Sequence, residues 1–231
     1  MNLTMLMRLL KLLRMRLWVI VGLPSLMASV LALEGCSVLK PVNTPPTAYF
    51  SLDDPSASPQ PVAAVRTLVR SLKPTLIINP PSAAAGYGSS RIIYLRQAHK
   101  IEYFAHSEWV ESPARMLAPL MVSSLQASGT FQAVVLTPSA VAADWRLNTE
   151  IIRLQHEFFE QPSRVRFTLR AHLVDEKSRR ILGVREFDLA IKSESDNPYG
   201  GVLAANLVIA SVLRDLTKFC AEVALEIPVA K

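Results

Sequence analysis

Apolar and polar positions alternate most strictly between residues 145 and 191. Trp145, Leu147, Thr149 and Ile151 share one parity. Val165, Phe167, Leu169, Ala171 and Leu173 alternate with Arg164, Arg166, Thr168, Arg170 and His172, the period of two expected of a half-buried antiparallel strand. Asp175-Glu176-Lys177-Ser178 supplies a turn, and Ile181, Phe187, Leu189 and Ile191 continue on one face, so the two segments predict a hairpin. After Pro198 the period lengthens. Val202, Ala205, Ile209, Val212, Leu216, Phe219 and Val223 recur every third or fourth residue, one apolar stripe along a long helix. Such a stripe must be buried, and the sheet face is its economical partner.

The first half carries shorter signals. Tyr49-Phe50-Ser51-Leu52 reads as the first strand. Thr75 to Asn79 is a second strand ending at Pro80-Pro81, with a run back to Arg66 that would extend it. Gly86-Tyr87-Gly88 is turn material, and Arg91–Leu95 with Ile101–Phe104 predicts a hairpin. Ser112 offers an N-cap with Pro113 at the first helical position, Met116, Leu117, Leu120, Met121 and Leu125 follow at helical spacing, and Gly129 closes the helix. Pro119 should kink that helix or move its start. Phe131–Leu136 is a further strand. The order predicts an α+β fold: a mostly antiparallel sheet with two main helices packed on it, in a single domain after a signal peptide and tether.

The N-terminal 35 residues follow another logic. Arg8, Lys11, Arg14 and Arg16 precede the uncharged stretch Leu17–Leu33, and Leu33-Glu34-Gly35-Cys36 closes it, the layout of a secretory signal. Seventeen uncharged residues also reach the short end of a membrane-spanning helix, with Pro24 inside, so an uncleaved anchor is the alternative. Either way the body of the protein lies outside the cytoplasm. Residues 37–62 are rich in Pro, Ser, Thr and Ala, the composition of a tether. The implied boundaries are 1–35 for the signal, 36–46 for Cys36 and its tether, and 47–226 for the folded domain.

Charge and cysteine content narrow the classes. The chain carries a formal +6, but residues 1–35 hold four positive residues and Glu34, so only +3 remains for the rest. Nucleic-acid binding loses its electrostatic warrant. With Cys36 and Cys220 the only cysteines, a disulfide framework is excluded and a hydrophobic core must supply stability. Cys220 falls next to Phe219 on the helical stripe and reads as a buried thiol, with a cross-chain disulfide as the minority alternative.

Candidate chemistry is sparse. None of His99, His106, His156 and His172 forms a metal-ligand pair, and no cysteine joins them at ligand spacing. His172 and His156-Glu157 read as solvated strand residues. His106 with Glu108 and Glu111 is the one local cluster of metal or acid–base type. No serine sits in G-x-S-x-G, and Gly86-x-Gly88 lacks the third glycine and following helix of a phosphate cradle. Arg164, Arg166 and Arg170 line one strand face, which is either an ordinary solvated face or a surface for anionic head groups. The expectation is a non-enzymatic protein with no catalytic residues, no metal and no cofactor.

A cysteine directly after a small residue at the end of a signal resembles the lipobox of bacterial lipoproteins. That resemblance implies that Cys36 becomes residue one and carries diacylglycerol and N-acyl lipid. Glu34 departs from the usual pattern, and Ser37, where an aspartate would favour inner-membrane retention, implies the outer membrane. Further stretches add to this: Tyr94-Leu95-Arg96 with Ile101-Glu102-Tyr103-Phe104-Ala105-His106, Glu108-Trp109 and Ser112-Pro113-Ala114-Arg115-Met116-Leu117; Asp144-Trp145-Arg146-Leu147; and Ser193-Glu194-Ser195-Asp196-Asn197-Pro198-Tyr199-Gly200-Gly201-Val202 with Ala205-Asn206. Together they resemble the ABC-type transport auxiliary lipoprotein family, over about residues 47–225.

The resemblance implies a component working with a mammalian-cell-entry (MCE) protein and an ABC transporter permease and ATPase, moving phospholipid or other apolar molecules across a Gram-negative envelope by docking. Tyr103, His106 and Trp109 form a plausible contact surface, the alternative being that Tyr103 and Trp109 pack sheet against helix. A homo-oligomeric ring would suit such a role. The alternative function is a structural envelope-assembly lipoprotein that binds peptidoglycan or an export machine.

Overall fold

The computed structural model describes residues 45–53 and 73–226. The signal and Cys36, the tether as far as residue 44, and the run from Arg66 lie outside the described residues. Nine strands and two helices follow in the order β1 (Ala48–Phe50), β2 (Thr75–Ile78), β3 (Ser82–Ala83), β4 (Arg91–Leu95), β5 (Glu102–Trp109), α1 (Pro113–Ala127), β6 (Ala133–Leu136), β7 (Trp145–Glu157), β8 (Arg164–Asp175), β9 (Ile181–Lys192) and α2 (Pro198–Glu226). This is the expected α+β class with two helices. The sheet is mixed. Its longest ladders, β7 with β8 and β8 with β9, are antiparallel, as is β4 with β5, whereas β1–β5, β4–β7, β3–β7, β2–β7 and β2–β6 run parallel.

The alternation read from the sequence sets the core. Trp145, Leu147, Thr149 and Ile151 of β7 and Val165, Phe167, Leu169, Ala171 and Leu173 of β8 are all buried. So is the whole α2 stripe, which packs on β8 and β9. By length and composition α2 could cross a bilayer, but its apolar stripe is buried against the sheet. In β9 a register shift opposite Leu173 and Val174 changes the pattern: Leu182 packs against the core while Ile181 is exposed. A bulge turns one extra residue out of the alternation. α1 runs through Pro119 without interruption, with that proline on its exposed side. Gly129 follows with φ +66, the left-handed conformation that favours glycine beyond a helix end.

Motif residues that look chemical in the sequence turn out to fix this architecture. Asp144 accepts the Thr75 amide at 2.9 Å, and Trp145 packs edge-on against Phe131. Arg146 makes two 2.7 Å bonds to the Glu176 carboxylate and a third to Asn79, clamping β7 to the β8–β9 turn. Asn206 on α2 accepts the Asp53 amide at 2.7 Å and so holds the chain after β1 against the helix.

Candidate functional site

A second register shift, between Ile151 and Arg153, decides which way the end of β7 faces. Beyond it the inward parity becomes even, so Leu154 and His156 enter the core. His156 is 2% exposed, which overturns its reading as a solvated strand-end residue. Its Nε2 lies 2.7 Å from the Ser163 hydroxyl at the start of β8 and 3.1 Å from the Ser193 hydroxyl after β9. Burial pushes its pKa down from 6.5 to about 4, with Asp196 opposing weakly, so the ring is neutral at ordinary pH. Nδ1 has no hydrogen-bond partner among the described residues. Glu157, on the opposite sheet face, is also buried and is held by Gln155 at 2.7 Å and Arg164 at 2.9 Å.

The loop that enters α2 closes over this imidazole. Asp196 accepts the Ser163 amide at 2.8 Å, and hydrogen bonding from Ser163 holds its carboxyl below the usual range. Asn197 caps α2 through a 2.9 Å bond from the Gly200 amide, with Pro198 at the first helical position. A Cβ on Gly200 would stand 2.2 Å from the Ser195 carbonyl, and one on Gly201 2.4 Å from His156 Nδ1. The Ser-to-Gly motif around Asn197 is therefore a close-packed clasp that needs glycine at both positions.

A histidine 2.7 Å from a serine hydroxyl has the spacing of a base and nucleophile. Here Ser163 is 1% exposed and no carboxylate addresses Nδ1. The pair is sealed from substrate and works as a structural tie between the β7–β8 turn, the end of β9 and α2.

Outside the clasp, aromatic rings continue from His156 to the surface. Phe158 lies 4.2 Å from the imidazole, and Tyr94 lies 4.5 Å from Phe104 and 5.9 Å from Phe158 between ring centroids. Phe104 and Phe158 then form part of an open groove of about 450 Å³, shared with Arg96, Glu160, Gln161, Asp196, Asn197 and Pro198. It gathers the end of β4, the start of β5, the β7–β8 turn and the entry to α2. The sequence gives little sign of this groove, because its residues come from four separated segments. The one signal that could have pointed to it is Asn197-Pro198, an N-cap residue followed by a proline suited to the first helical position.

The residues singled out from sequence separate. Trp109 is 4% exposed within the core, which corrects its assignment to a contact surface: on β5 it points inward, in the packing role that was its alternative. Tyr103 is half-buried under the Arg91 guanidinium, 3.7 Å from the ring centroid. His106 is half-buried on the opposite parity of β5. No group of three His, Cys, Asp or Glu residues able to hold a metal occurs among the described residues. Arg164, Arg166 and Arg170 pair with Glu157, Asp188, and Glu150 with Glu186, the solvated ion-paired face and not a surface for free anions. Cys220 is fully buried, and desolvation pushes its thiol up to about 12.

The model of the family described as ABC-type transport auxiliary lipoprotein component matches residues 50–217. No curated protein matches the sequence significantly. Among solved structures, a protein from Xanthomonas campestris is similar at 20% identity and TM-score 0.62, over 67% of this chain and 87% of that one. A second, titled only an uncharacterised protein, is similar at 13% identity and TM-score 0.55, over 77% and 98%. At these identities the two structures show the shared fold alone.

Proposed function

The chain belongs to the family of ABC-type transport auxiliary lipoprotein components, and from that premise we propose that it acts by docking, as the lipid-anchored partner of an MCE-type transport system. The match over residues 50–217 carries this reading, since it spans nearly all of the folded domain. In this reading Cys36 bears the acyl anchor, residues 36–46 link it to the domain, and the domain stands at the periplasmic face of the outer membrane. The permease and ATPase are separate chains, and phospholipids or other apolar molecules are the cargo. The sealed His156–Ser163 pair is consistent with docking without catalysis. Of the residues first assigned to the contact surface, Tyr103 and His106 remain available to a partner and Trp109 does not.

The test is affinity purification of the tagged full-length protein from gently solubilised envelopes, followed by mass spectrometry. Recovery of an MCE protein with ABC subunits is the expected result. Recovery of peptidoglycan-linked or export components in their place would sink the transport reading.

A further inference from the structure

The groove at the end of the sheet combines three features that protein surfaces usually keep apart. It has an aromatic side, formed by Phe104 and Phe158 and backed by Tyr94. It has a cation, Arg96, whose guanidinium lies 5.2 Å from the Tyr94 ring centroid. It also has two acidic residues, Glu160 and Asp196, with Gln161 and Asn197 beside them in the chain.

Opposite charges lining one cavity commonly close into ion pairs, as Arg164, Arg166 and Arg170 do with their carboxylates on the neighbouring strand face. Arg96, Glu160 and Asp196 form none among the described residues. The charges stand apart around a cavity of about 450 Å³, within the usual range for small-molecule sites.

We propose that this groove binds a zwitterion carrying an ammonium and a phosphate or carboxylate. The ammonium lies against the faces of Phe104 and Phe158, facing Glu160 and Asp196, and the anionic group pairs with Arg96. Aromatic faces attract ammonium groups through the ring quadrupole, more strongly as water is excluded. A guanidinium matches phosphate or carboxylate oxygens two at a time. A ligand of one sign alone would leave one wall of the groove unpaired, which is the basis of selection.

The position of the groove fits a head group as the source of the zwitterion. β1 pairs parallel to β5 with Ala48 opposite Ser107, so the chain before Ala48 leads toward the end of β5 that carries Phe104. Cys36 precedes Pro45 by nine residues, at most about 30 Å of extended chain. An acylated Cys36 would thus keep this end of the domain within reach of a lipid surface. The choice of lipid head groups among the probes rests on the transport reading above; the site itself rests on its geometry.

The test is calorimetric titration of the full-length protein in dodecyl maltoside with glycerophosphoethanolamine, glycerophosphocholine and glycine betaine. Glycerol 3-phosphate and ethanolamine serve as controls that carry charge of one sign only. At least one zwitterion is expected to bind at least tenfold more tightly than either control, with a tenfold or greater loss in Phe158→Ala, Glu160→Lys and Arg96→Glu. Preference for the glycerophospho esters identifies a head group as the source, and preference for betaine a free zwitterion; both support the site.

Absence of zwitterion binding to the wild type, or undiminished binding in variants that melt like the wild type, overturns it. Partner recovery from the wild type separates the two readings. Absent zwitterion binding to the wild type with MCE and ABC subunits still recovered would fault the groove alone, and zwitterion binding without recovery of those partners would fault the transport reading alone.

Discussion

Acidification should destabilise the fold through His156 before any other displaced group responds. The imidazole titrates at 6.5 when unfolded and at about 4 when buried. Between those values the unfolded chain binds a proton that the folded chain refuses, so stability falls as pH falls. A displacement of that size amounts to about 3 kcal/mol once the pH is below both values, and to about 2 kcal/mol at pH 5. That is a large part of a typical domain's 5–15 kcal/mol.

The next strongly displaced group is Asp188, held at about 2 by its hydrogen bond from Arg166, and its contribution is lost only below 3.8. The window between about pH 6.5 and pH 4.5 therefore isolates the histidine. Urea unfolding of the full chain, repeated across that window, should show the midpoint dropping in the wild type. In His156→Gln the curve should be flat there, whatever the variant's stability at pH 7. An equal slope in the two proteins would refute the assignment.

The clasp should tolerate no methyl group at its centre. Gly201→Ala places a Cβ 2.4 Å from His156 Nδ1 and should cost about 1–3 kcal/mol by urea melt, an overpacking penalty. Because the two sites touch, adding His156→Ala should recover part of that loss; strict additivity would show that the ring is not the obstacle. Cys220, buried and with its thiol pushed up to about 12, should resist maleimide until denaturant is added, and prompt labelling of the native protein would contradict the packing of α2. Cys36→Ser should accumulate as an unprocessed precursor without fatty-acid label, and unchanged labelling would place the anchor elsewhere.

Periodicity is local, and it made the long elements legible. The β8 alternation and the α2 stripe each span enough residues that one face must be buried, and those faces are the core. Register shifts are not local signals. The bulge between Ile151 and Arg153 changes the inward parity of β7, and without it His156 reads as an outward strand-end residue. Leu182 and Ile181 exchange roles in β9 for the same reason. Parallel pairing was equally hidden, because β2 meets β6 and β7 across long stretches of chain and nothing in four apolar residues names their neighbours. Trp109 was ambiguous because an aromatic residue suits a core and an interface alike; its neighbours across β1 and β4 decided it.

The residues that make the family recognisable divide into two kinds once placed. Asp144, Trp145, Arg146, Asn197, Gly200, Gly201 and Asn206 close the fold by hydrogen bonds or tight packing. Their chemistry is committed internally, so no binding function follows from them directly. Their effect is positional. The Asn197 cap and the two glycines bring the first turn of α2 down onto His156, and Ser163 ties the β7–β8 turn to Asp196 from the other side.

Glu160 and Gln161 on that turn are thereby set beside Asp196 and Asn197 on the helix entry, with Phe104 and Phe158 completing the groove. Loosening the clasp should disturb the groove before it unfolds the sheet, since β7, β8 and β9 are held by their own ladders. Gly201→Ala provides the separation: ligand binding at the groove should weaken at urea concentrations where the sheet, read by circular dichroism, is still intact. Simultaneous loss of both would mean that clasp and sheet form one cooperative unit, and that the motif acts on overall stability without setting the site independently.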